Sequence, residues 1–300
     1  MLMINAEREM YYVIVNETHI KGKGSAKLEE VKKVFDVAGK EYKILFTQKA
    51  GDAKRYAEEI TSDGNENTII AMGGDGTLHD IINGFKDFEK NSLGIIPFGT
   101  GNDFAQSAGI PLNAKQSAEI IAFRAPQYID FIELSSGLRS INSVGMGIDV
   151  ELLKKVYQKN MRGKSKYLRA LISTVIHFKS CNFTVKYNGK EEKHYGLISA
   201  IGNGKWLGGG IKLFPEAEIN DGYLDLIIVD YLSKPKILGA FLKLVRGKVD
   251  KIKNVTYVKT KCATFVQESD NYTIQAEGEL YDNVPLDARI VENKLKFYLP

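Results

Sequence analysis

Two glycine-rich segments of the chain carry the residue types that phosphate binding requires. The first, Gly73-Gly74-Asp75-Gly76-Thr77, follows an apolar run typical of a strand and opens a stretch with helical periodicity. Glycine allows positive φ angles and a close approach of the backbone to a ligand, and the amides at a helix start favour an anion. Asp75 suits such a loop if it holds Mg²⁺, directly or through water, because it would otherwise repel a phosphate. By itself, this cluster is better explained as a tight turn with a polar tip.

A second segment, Gly99-Thr100-Gly101-Asn102-Asp103, favours a phosphate site over a simple tight turn. It follows another apolar run that ends at Pro97, so it has the same predicted strand–turn–helix context. Both turns would emerge at the carboxyl ends of parallel strands, where open α/β sheets bind ligands. Neither turn matches a Walker loop or a dinucleotide G-x-G-x-x-G turn. A third glycine loop, residues 22–25, fits a flexible surface loop as well as it fits a phosphate site.

The elements that must position these turns are predicted from hydrophobic periodicity. Short apolar runs alternate with helical patterns over the first 130 residues, which predicts βαβ units and a mostly parallel sheet. The predicted strands are residues 11–16, 43–47, 68–72 and 93–97. The predicted helices are residues 25–38, 53–61, 78–85 and 114–123. We therefore expect an α/β domain over residues 1–130.

After Asp130 the pattern becomes one of successive strands. The apolar runs are residues 139–144, 183–187, 195–201, 223–229, 255–261, 272–276 and 289–292. Only two helices are predicted among them, at residues 167–178 and 236–245. This pattern indicates a second domain, residues 131–289, that is rich in antiparallel sheet.

Composition excludes several other classes of protein. The 300 residues are 44% hydrophobic and 26% charged, which is typical of a globular protein. A net charge of +4 is too small to indicate a nucleic-acid partner. The two cysteines have no metal-binding spacing and predict neither a zinc site nor a disulfide framework. With no signal-like start and no long apolar run, we expect a cytoplasmic protein whose membrane contact is peripheral.

The motifs strongly resemble those of the diacylglycerol kinase catalytic-domain family, with soluble bacterial lipid kinases nearest and sphingosine and ceramide kinases more distant. They occur in family order at residues 72–79, 96–104, 141–147, 202–210, 215–224 and 277–279. The resemblance implies a nucleotide-binding domain of the phosphofructokinase and NAD kinase type, followed by an antiparallel β-sandwich. It also implies an active site in a cleft between the domains, and a last strand, about residues 290–300, that returns to the first domain.

The resemblance implies a role for each motif residue, with ATP and Mg²⁺ as cofactors. ATP would be bound by Gly73, Gly74, Asp75, Gly76, Thr77, Gly99, Thr100, Gly101, Asn102 and Glu279. Catalytic Mg²⁺ and its water network would involve Asp75, Asp103 and Asp130. A structural Mg²⁺ would take the Asp221 carboxylate and the backbone oxygens of Glu218 and Tyr223. From the residues alone, the segment around Asp221 is only a good hairpin turn.

Glu277 occupies the place where the family usually has the aspartate that deprotonates the lipid hydroxyl. Glutamate can perform the same proton transfer, but a shift of ~1 Å can cost ~10²-fold in rate. The leading hypothesis is phosphorylation of a lipid, most simply diacylglycerol to phosphatidic acid. One alternative is an NAD kinase-like enzyme with a soluble substrate, since NAD kinases share the Gly-Gly-Asp-Gly-Thr loop. The other is a catalytically silent nucleotide-binding protein.

Two segments combine basic and apolar residues as membrane-surface contacts do. Residues 154–169 hold seven basic side chains, and residues 236–253 hold six with one acid. Such segments bind anionic lipid with ~1 kcal/mol per basic residue near the surface, although most amphipathic helices instead pack on their own core. We expect contact with the inner face of a membrane, through residues 154–169 rather than residues 236–253, and reversing the charge of Lys164 and Lys166 would test it. Pairing as a homodimer is a further expectation from the resemblance.

Overall fold

The chain forms two compact units in the computed structural model. The first unit comprises Met1–Asp130 and Glu292–Pro300, and the second comprises Phe131–Val291. The structure describes residues 9–17, 20, 23–158, 170, 172–175, 177–178, 180–233, 236–237, 239–240, 243, 247–267 and 272–300. None of the helices within these ranges is long and apolar enough to cross a membrane.

The first unit is built on a parallel sheet. Its strands are β1 (Met10–Asn16), β2 (Tyr42–Thr47), β3 (Asn67–Gly73) and β4 (Ser92–Pro97). They lie in the order β2-β1-β3-β4. The strands β3 and β4 are buried along their whole length, as expected for parallel strands that are covered on both faces. Gly73 lies opposite Pro97 in the register, so the turns after β3 and β4 begin side by side.

Helices flank this sheet at the predicted places, with shifted ends. They are α1 (Lys23–Val37), α2 (Asp52–Thr61), α3 (Asp75–Gly84), α4 (Asp103–Ser107) and α5 (Ala114–Phe123). One core cluster joins the apolar faces of α1 and α5 to alternate residues of β1 and β3. The helices α2 and α3 pack closely at Gly84. A Cβ at this position would lie 2.1 Å from the Lys54 backbone oxygen, so only glycine fits there.

The end of the chain completes the first unit. The strand β15 (Asp287–Phe297) passes from the second unit into the first. Its Lys296 and Phe297 pair in parallel with Ser92 and Leu93 of β4. The Tyr298 side chain that follows is buried and lies within hydrogen-bond distance of Thr68, 3.1 Å away. The last residues are therefore part of the core of the first unit.

The second unit is an antiparallel array. Its strands after β5 (Gln127–Leu134) are β6 (Arg139–Ser140), β7 (Ser143–Gly147), β8 (Cys181–Tyr187), β9 (Lys190–Gly202), β10 (Leu224–Asp230), β11 (Val255–Thr260), β12 (Cys262–Gln267), β13 (Thr273–Ala276) and β14 (Glu279–Asp282). The long strand β9 pairs with β8 in its first part and with β7 and β10 in its second. Strand β13 lies between β7 and β14. The hydrophobic core of the second unit consists of two clusters. Side chains of β10 point alternately to one cluster and to the other.

Two differences from the sequence expectation are informative. The predicted strand at residues 255–261 ends at Thr260, and a separate strand, β12, starts at Cys262. Strand β11 pairs with β10, whereas β12 pairs with β8, so the break at Lys261 moves the chain to a new neighbour. A helix, α6 (Ile148–Gln158), follows Gly147 directly and was not predicted. The helices predicted at residues 167–178 and 236–245 lie partly outside the described residues.

Candidate active site

The two glycine turns of the first unit touch each other. A Cβ built on Gly99 would lie 2.6 Å from the Gly74 Cα, and one on Gly74 would lie 3.0 Å from the Gly99 Cα. Side chains at either position would therefore push the turns apart. The backbone amide of Phe98 also donates to the Gly73 oxygen at 2.8 Å. The backbones of the two turns form one continuous surface because both contact residues are glycine.

Asp75 joins the turns through its carboxylate. Its Oδ2 accepts from the Asp103 amide at 3.1 Å, and its Oδ1 accepts from the Phe104 amide at 3.1 Å. Asp75 is thus the first residue of α3 and also a cap for the start of α4, where backbone amides otherwise lack helical partners. These amides orient the carboxylate.

Asn102 holds the second turn in shape. It has a positive φ of 52°, a conformation that asparagine tolerates better than most residues. Its Oδ1 accepts from the Gly99 amide at 3.0 Å, and its Nδ2 donates to the Gly99 oxygen at 3.0 Å. Thr100 at the tip of the turn is exposed, and the Gly101 oxygen accepts from Gln106 Nε2 at 2.9 Å. The loop between β4 and α4 is therefore braced at both ends.

Gly76 and Thr77 lie in the first turn of α3. A Cβ on Gly73 would lie 2.4 Å from Thr77 Oγ1, so the threonine side chain covers that glycine. The α3 helix has ten residues and its N-cap is Gly74, which provides no side chain to cap the first amides. This helix start, beside the second glycine turn, can bind the phosphates of a nucleotide.

The carboxylates of this unit fit a metal that is shared with a nucleotide. Within the described ranges, no three His, Cys, Asp or Glu side chains gather closely enough to hold a metal ion. Asp103 is buried at the start of α4, beside Asp75. Asp130 is completely buried and its Oδ1 accepts from the Asn293 amide at 2.7 Å. Mg²⁺ in kinases commonly binds one or two carboxylates, together with waters and substrate phosphates. Asp75 can provide one such carboxylate.

In the second unit, Glu277 lies in a two-residue hairpin turn between β13 and β14. Ala276 pairs with Glu279, and the intervening Glu277 and Gly278 have φ angles of 52° and 84°. Two positive φ angles are the mark of a type I′ turn, in which asparagine or aspartate before glycine is preferred. Glutamate is strained in the first position, so the turn must be held by other contacts.

The Glu277 side chain supplies some of those contacts. Its Oε1 accepts from Ser140 Oγ at 2.5 Å and from the Asn142 amide at 2.6 Å. The Glu277 amide in turn donates to the Ser143 oxygen at 3.2 Å. The longer glutamate side chain reaches the segment between β6 and β7 and fixes the carboxylate there. The sequence did not reveal Ser140 or Asn142 as partners, because their contacts with Glu277 span more than 130 residues.

Gly278 is held from two sides. Its amide donates to Gln275 Oε1 at 3.0 Å, and its oxygen accepts from the Tyr157 hydroxyl at 2.7 Å. Tyr157 lies on α6, so this unpredicted helix positions the turn that contains Glu277. The side chain of Glu279, the first residue of β14, is exposed.

A buried acid lies at the start of α6. Both carboxylate oxygens of Asp149 are buried, and the Val150 amide and the Gln275 side chain lie close to them. Burial raises the pKa of this carboxyl to about 6. A Cβ on Gly145 would lie 2.8 Å from Asp149 Oδ2 and 3.2 Å from Gln275 Nε2. Gly145 thus leaves room for both polar groups, a relationship that has no signal in the sequence.

The residues predicted for a structural Mg²⁺ lie in the turn that precedes β10. The Asp221 Oδ1 accepts from the Tyr223 amide at 3.0 Å. The Asp221 Oδ2 accepts from Lys259 Nζ at 2.6 Å. The side chain of Glu218 is exposed. The carboxylate therefore already has a cationic partner from the chain.

Comparison with known proteins agrees with this geometry. Residues 10–134 match the model of the diacylglycerol kinase catalytic domain, and residues 142–299 match the YegS C-terminal NAD kinase beta sandwich-like domain. A protein of Xanthomonas campestris named "Probable lipid kinase YegS-like" is 30% identical over 91% of each chain. A protein of Staphylococcus aureus named "Diacylglycerol kinase" is 27% identical over 98% of this chain and 93% of the other.

Solved structures show the same fold. One described as a diacylglycerol kinase from Bacillus anthracis superposes with a TM-score of 0.74 over 98% of each chain, at 22% identity. An NAD kinase from Archaeoglobus fulgidus, in complex with ATP, superposes with a TM-score of 0.53 over 96% of this chain and 93% of the other, at 10% identity.

The fold and the paired glycine turns thus define an NAD kinase-like class of protein, with an α/β domain followed by an antiparallel β-sandwich. The predicted fold class is confirmed. Within that class, the chain belongs to the diacylglycerol kinase and YegS-like family of lipid kinases. It is therefore an enzyme, and the predicted lipid kinase resemblance is confirmed.

Proposed function

We propose that the protein transfers the γ-phosphoryl group of ATP to the hydroxyl of diacylglycerol, with Mg²⁺ as the metal. The contact between Gly74 and Gly99 carries this proposal, because it brings the uncapped start of α3 and the second glycine turn together as one anion-binding surface. The Staphylococcus aureus relative named a diacylglycerol kinase supports the substrate. The Archaeoglobus fulgidus structure with ATP supports the nucleotide.

The residues of the first unit bind and orient the nucleotide. The two glycine turns receive its phosphates, and Asp75 is the carboxylate that would hold the metal, with Asp103 and Asp130 supporting the surrounding water network. Bound Mg²⁺ would neutralise charge on the phosphates. Catalysis of phosphoryl transfer depends mostly on such positioning and electrostatics.

Glu277 is the proposed base. Its carboxylate accepts the proton of the lipid hydroxyl, whose oxygen forms a bond to the γ-phosphorus as the bond to the β-phosphate oxygen breaks and ADP leaves. The contacts of Ser140 and Asn142 with Oε1 hold the carboxylate in one orientation for this transfer. Glu279 is proposed to assist nucleotide binding.

A cleft within the second unit suits a lipid. It has a volume of about 490 Å³, and apolar and basic side chains share its lining. These include Val150, Phe178, Tyr272, Lys154, Lys155 and His177. The apolar part of this lining can accept an acyl chain. We propose that the substrate enters here while the protein contacts an anionic membrane surface.

The substrate is tested by incubating purified protein with Mg²⁺, labelled ATP and vesicles that contain one candidate lipid at a time. Diacylglycerol, monoacylglycerol, phosphatidylglycerol, ceramide and sphingosine form the panel, with NAD as the soluble substrate. We expect label in diacylglycerol and its loss when EDTA is added. Label in another lipid would replace the proposed substrate, and label only in NADP would replace the proposed function. ATP binding without any product would support a silent protein.

Membrane contact is tested by sedimentation with anionic vesicles. Lys164 and Lys166, on which the sequence prediction rests, lie outside the described residues. We expect Lys164→Glu with Lys166→Glu to weaken binding on the order of tenfold. The matched control is Lys186→Glu with Lys190→Glu, on the exposed β8–β9 hairpin. Equal binding by both variants and the unchanged protein would contradict the assignment.

A further inference from the structure

The turn around Asp221 contains a cation supplied by the chain itself. Lys259 Nζ lies 2.6 Å from Asp221 Oδ2, 3.1 Å from Asp225 Oδ2 and 3.1 Å from the backbone oxygen of Glu216. An ammonium group has three N–H donors and no acceptor. Three oxygens are present for these three donors, so Lys259 can make its full set of hydrogen bonds inside this turn.

The sheet fixes the position of this lysine. Lys259 on β11 lies directly opposite Asp225 on β10 in the antiparallel register. Tyr257, two residues earlier on the same face of β11, donates to Asp225 Oδ1 at 2.5 Å. The Asp225 side chain is fully buried, whereas that of Lys259 is 34% exposed. Both Asp225 oxygens thus accept a hydrogen bond from a side chain of β11.

The charges in the turn favour a retained ammonium. Two of the three oxygens that accept from Lys259 belong to the Asp221 and Asp225 carboxylates. Hydrogen bonds between an ammonium group and a carboxylate are stronger than those between neutral groups.

This arrangement does not fit the structural Mg²⁺ that the family resemblance implies. Mg²⁺ needs nearly octahedral oxygen ligands at roughly 2.0–2.1 Å. One Asp221 oxygen is bonded to Lys259 and the other to the Tyr223 amide. A divalent ion on this carboxylate would lie beside an ammonium group and would be repelled by it. The lysine and the metal are alternatives at this position.

We propose that Lys259 takes the place of the divalent cation in this turn, so that the folded structure of residues 216–225 does not depend on a metal. The proposal concerns stability and is independent of which lipid is phosphorylated. It assigns to a single side chain the role of joining β11 to the loop that leads into β10.

The first test is thermal unfolding of the nucleotide-free protein, with hydrogen exchange of residues 216–225 as a local measure. We expect the unchanged protein to have the same Tm in EDTA and in millimolar Mg²⁺. Lys259→Met should lower Tm by about 5 °C and increase exchange in this segment, because two carboxylates lose their cation. A Mg²⁺-dependent rise in Tm that disappears in Asp221→Asn would overturn the proposal.

A double-mutant cycle tests the specific contact. We expect Lys259→Met with Asp221→Asn to lower Tm by clearly less than the sum of the two single changes, because the pair is lost only once. Additive effects would show that Lys259 does not act through Asp221, and they would contradict the proposal that Lys259 replaces the divalent cation. Lys186→Met is the matched control, since Lys186 forms an exposed ion pair with Glu191 at 3.2 Å and its loss should leave Tm nearly unchanged.

Discussion

Asp75 in the first unit and Asp221 in the second are both carboxylates that the family resemblance assigns to a metal, and the chain holds them in different ways. Asp75 accepts from two backbone amides at 3.1 Å. Asp221 accepts from one amide and from the ammonium group of Lys259 at 2.6 Å. Amides orient a carboxylate but leave its charge in place, whereas an ammonium group both orients and neutralises it. A motif residue is therefore available to a cation only when its neighbours are neutral.

The largest expected effect comes from removing the carboxylate that remains available. We expect Asp75→Ala to lower kcat on the order of 10³-fold, because it removes the proposed metal ligand. It should also cost about 1 kcal/mol of stability through the lost α4 cap. Asp221→Asn, measured in the same kinase assay, should lower kcat less than tenfold. Similar losses in both variants would remove the distinction between the two carboxylates.

Glu277 offers an intermediate case, a carboxylate held by a hydroxyl and an amide. We expect Glu277→Gln to lower kcat by ~10²–10⁴-fold, because the amide cannot accept the hydroxyl proton. Glu277→Asp keeps the charge and suits the positive φ better, so its loss should be smaller. The kcat and KM of both variants with diacylglycerol provide the measurement. Full activity of Glu277→Gln would mean that this side chain only supports its turn.

The backbone contact that positions Asp75 can be tested without altering any charge. We expect Gly99→Ala to destabilise the protein by about 1–3 kcal/mol and to weaken ATP binding, because the added Cβ would lie 2.6 Å from the Gly74 Cα. Gly239→Ala is the control, since a Cβ there meets no atom of the described residues within 4 Å. Chemical unfolding and ATP titration measure both effects. Equal behaviour of the two variants would argue against a contact that requires glycine.

Asp149 extends the comparison to an acid whose pKa is governed mainly by burial. Its carboxyl has a pKa of about 6 in the folded protein against 3.8 normally, so the folded state binds the proton more tightly. Stability is then lost as pH rises from about 4 to 6, up to about 3 kcal/mol. We expect Asp149→Asn to be more stable than the unchanged protein at pH 7.5, with the gain vanishing near pH 4. Urea unfolding at several pH values measures this difference, and a loss of stability at pH 7.5 would contradict it.

The sequence predicted the strands and turns that depend on residues close together in the chain. The apolar runs before Gly73 and Gly99 predicted buried parallel strands, and the glycine spacing predicted two turns at one edge of the sheet. The partners of the charged groups could not be predicted in the same way. Lys259 meets Asp221 only because β11 pairs with β10 in one register, and register depends on the whole antiparallel array. The α6 helix was missed although Asp149 and Glu151 in its first turn are a typical start signal of a helix.

The return of β15 to the first unit has a consequence for synthesis of the protein. Strand β4 gains its neighbours Lys296 and Phe297 only after the whole second unit has left the ribosome. Domains usually fold in the order in which they are made, but here the unit that begins the chain is also the last to be completed. Removal of the final nine residues, Glu292–Pro300, should therefore destabilise the amino-terminal unit.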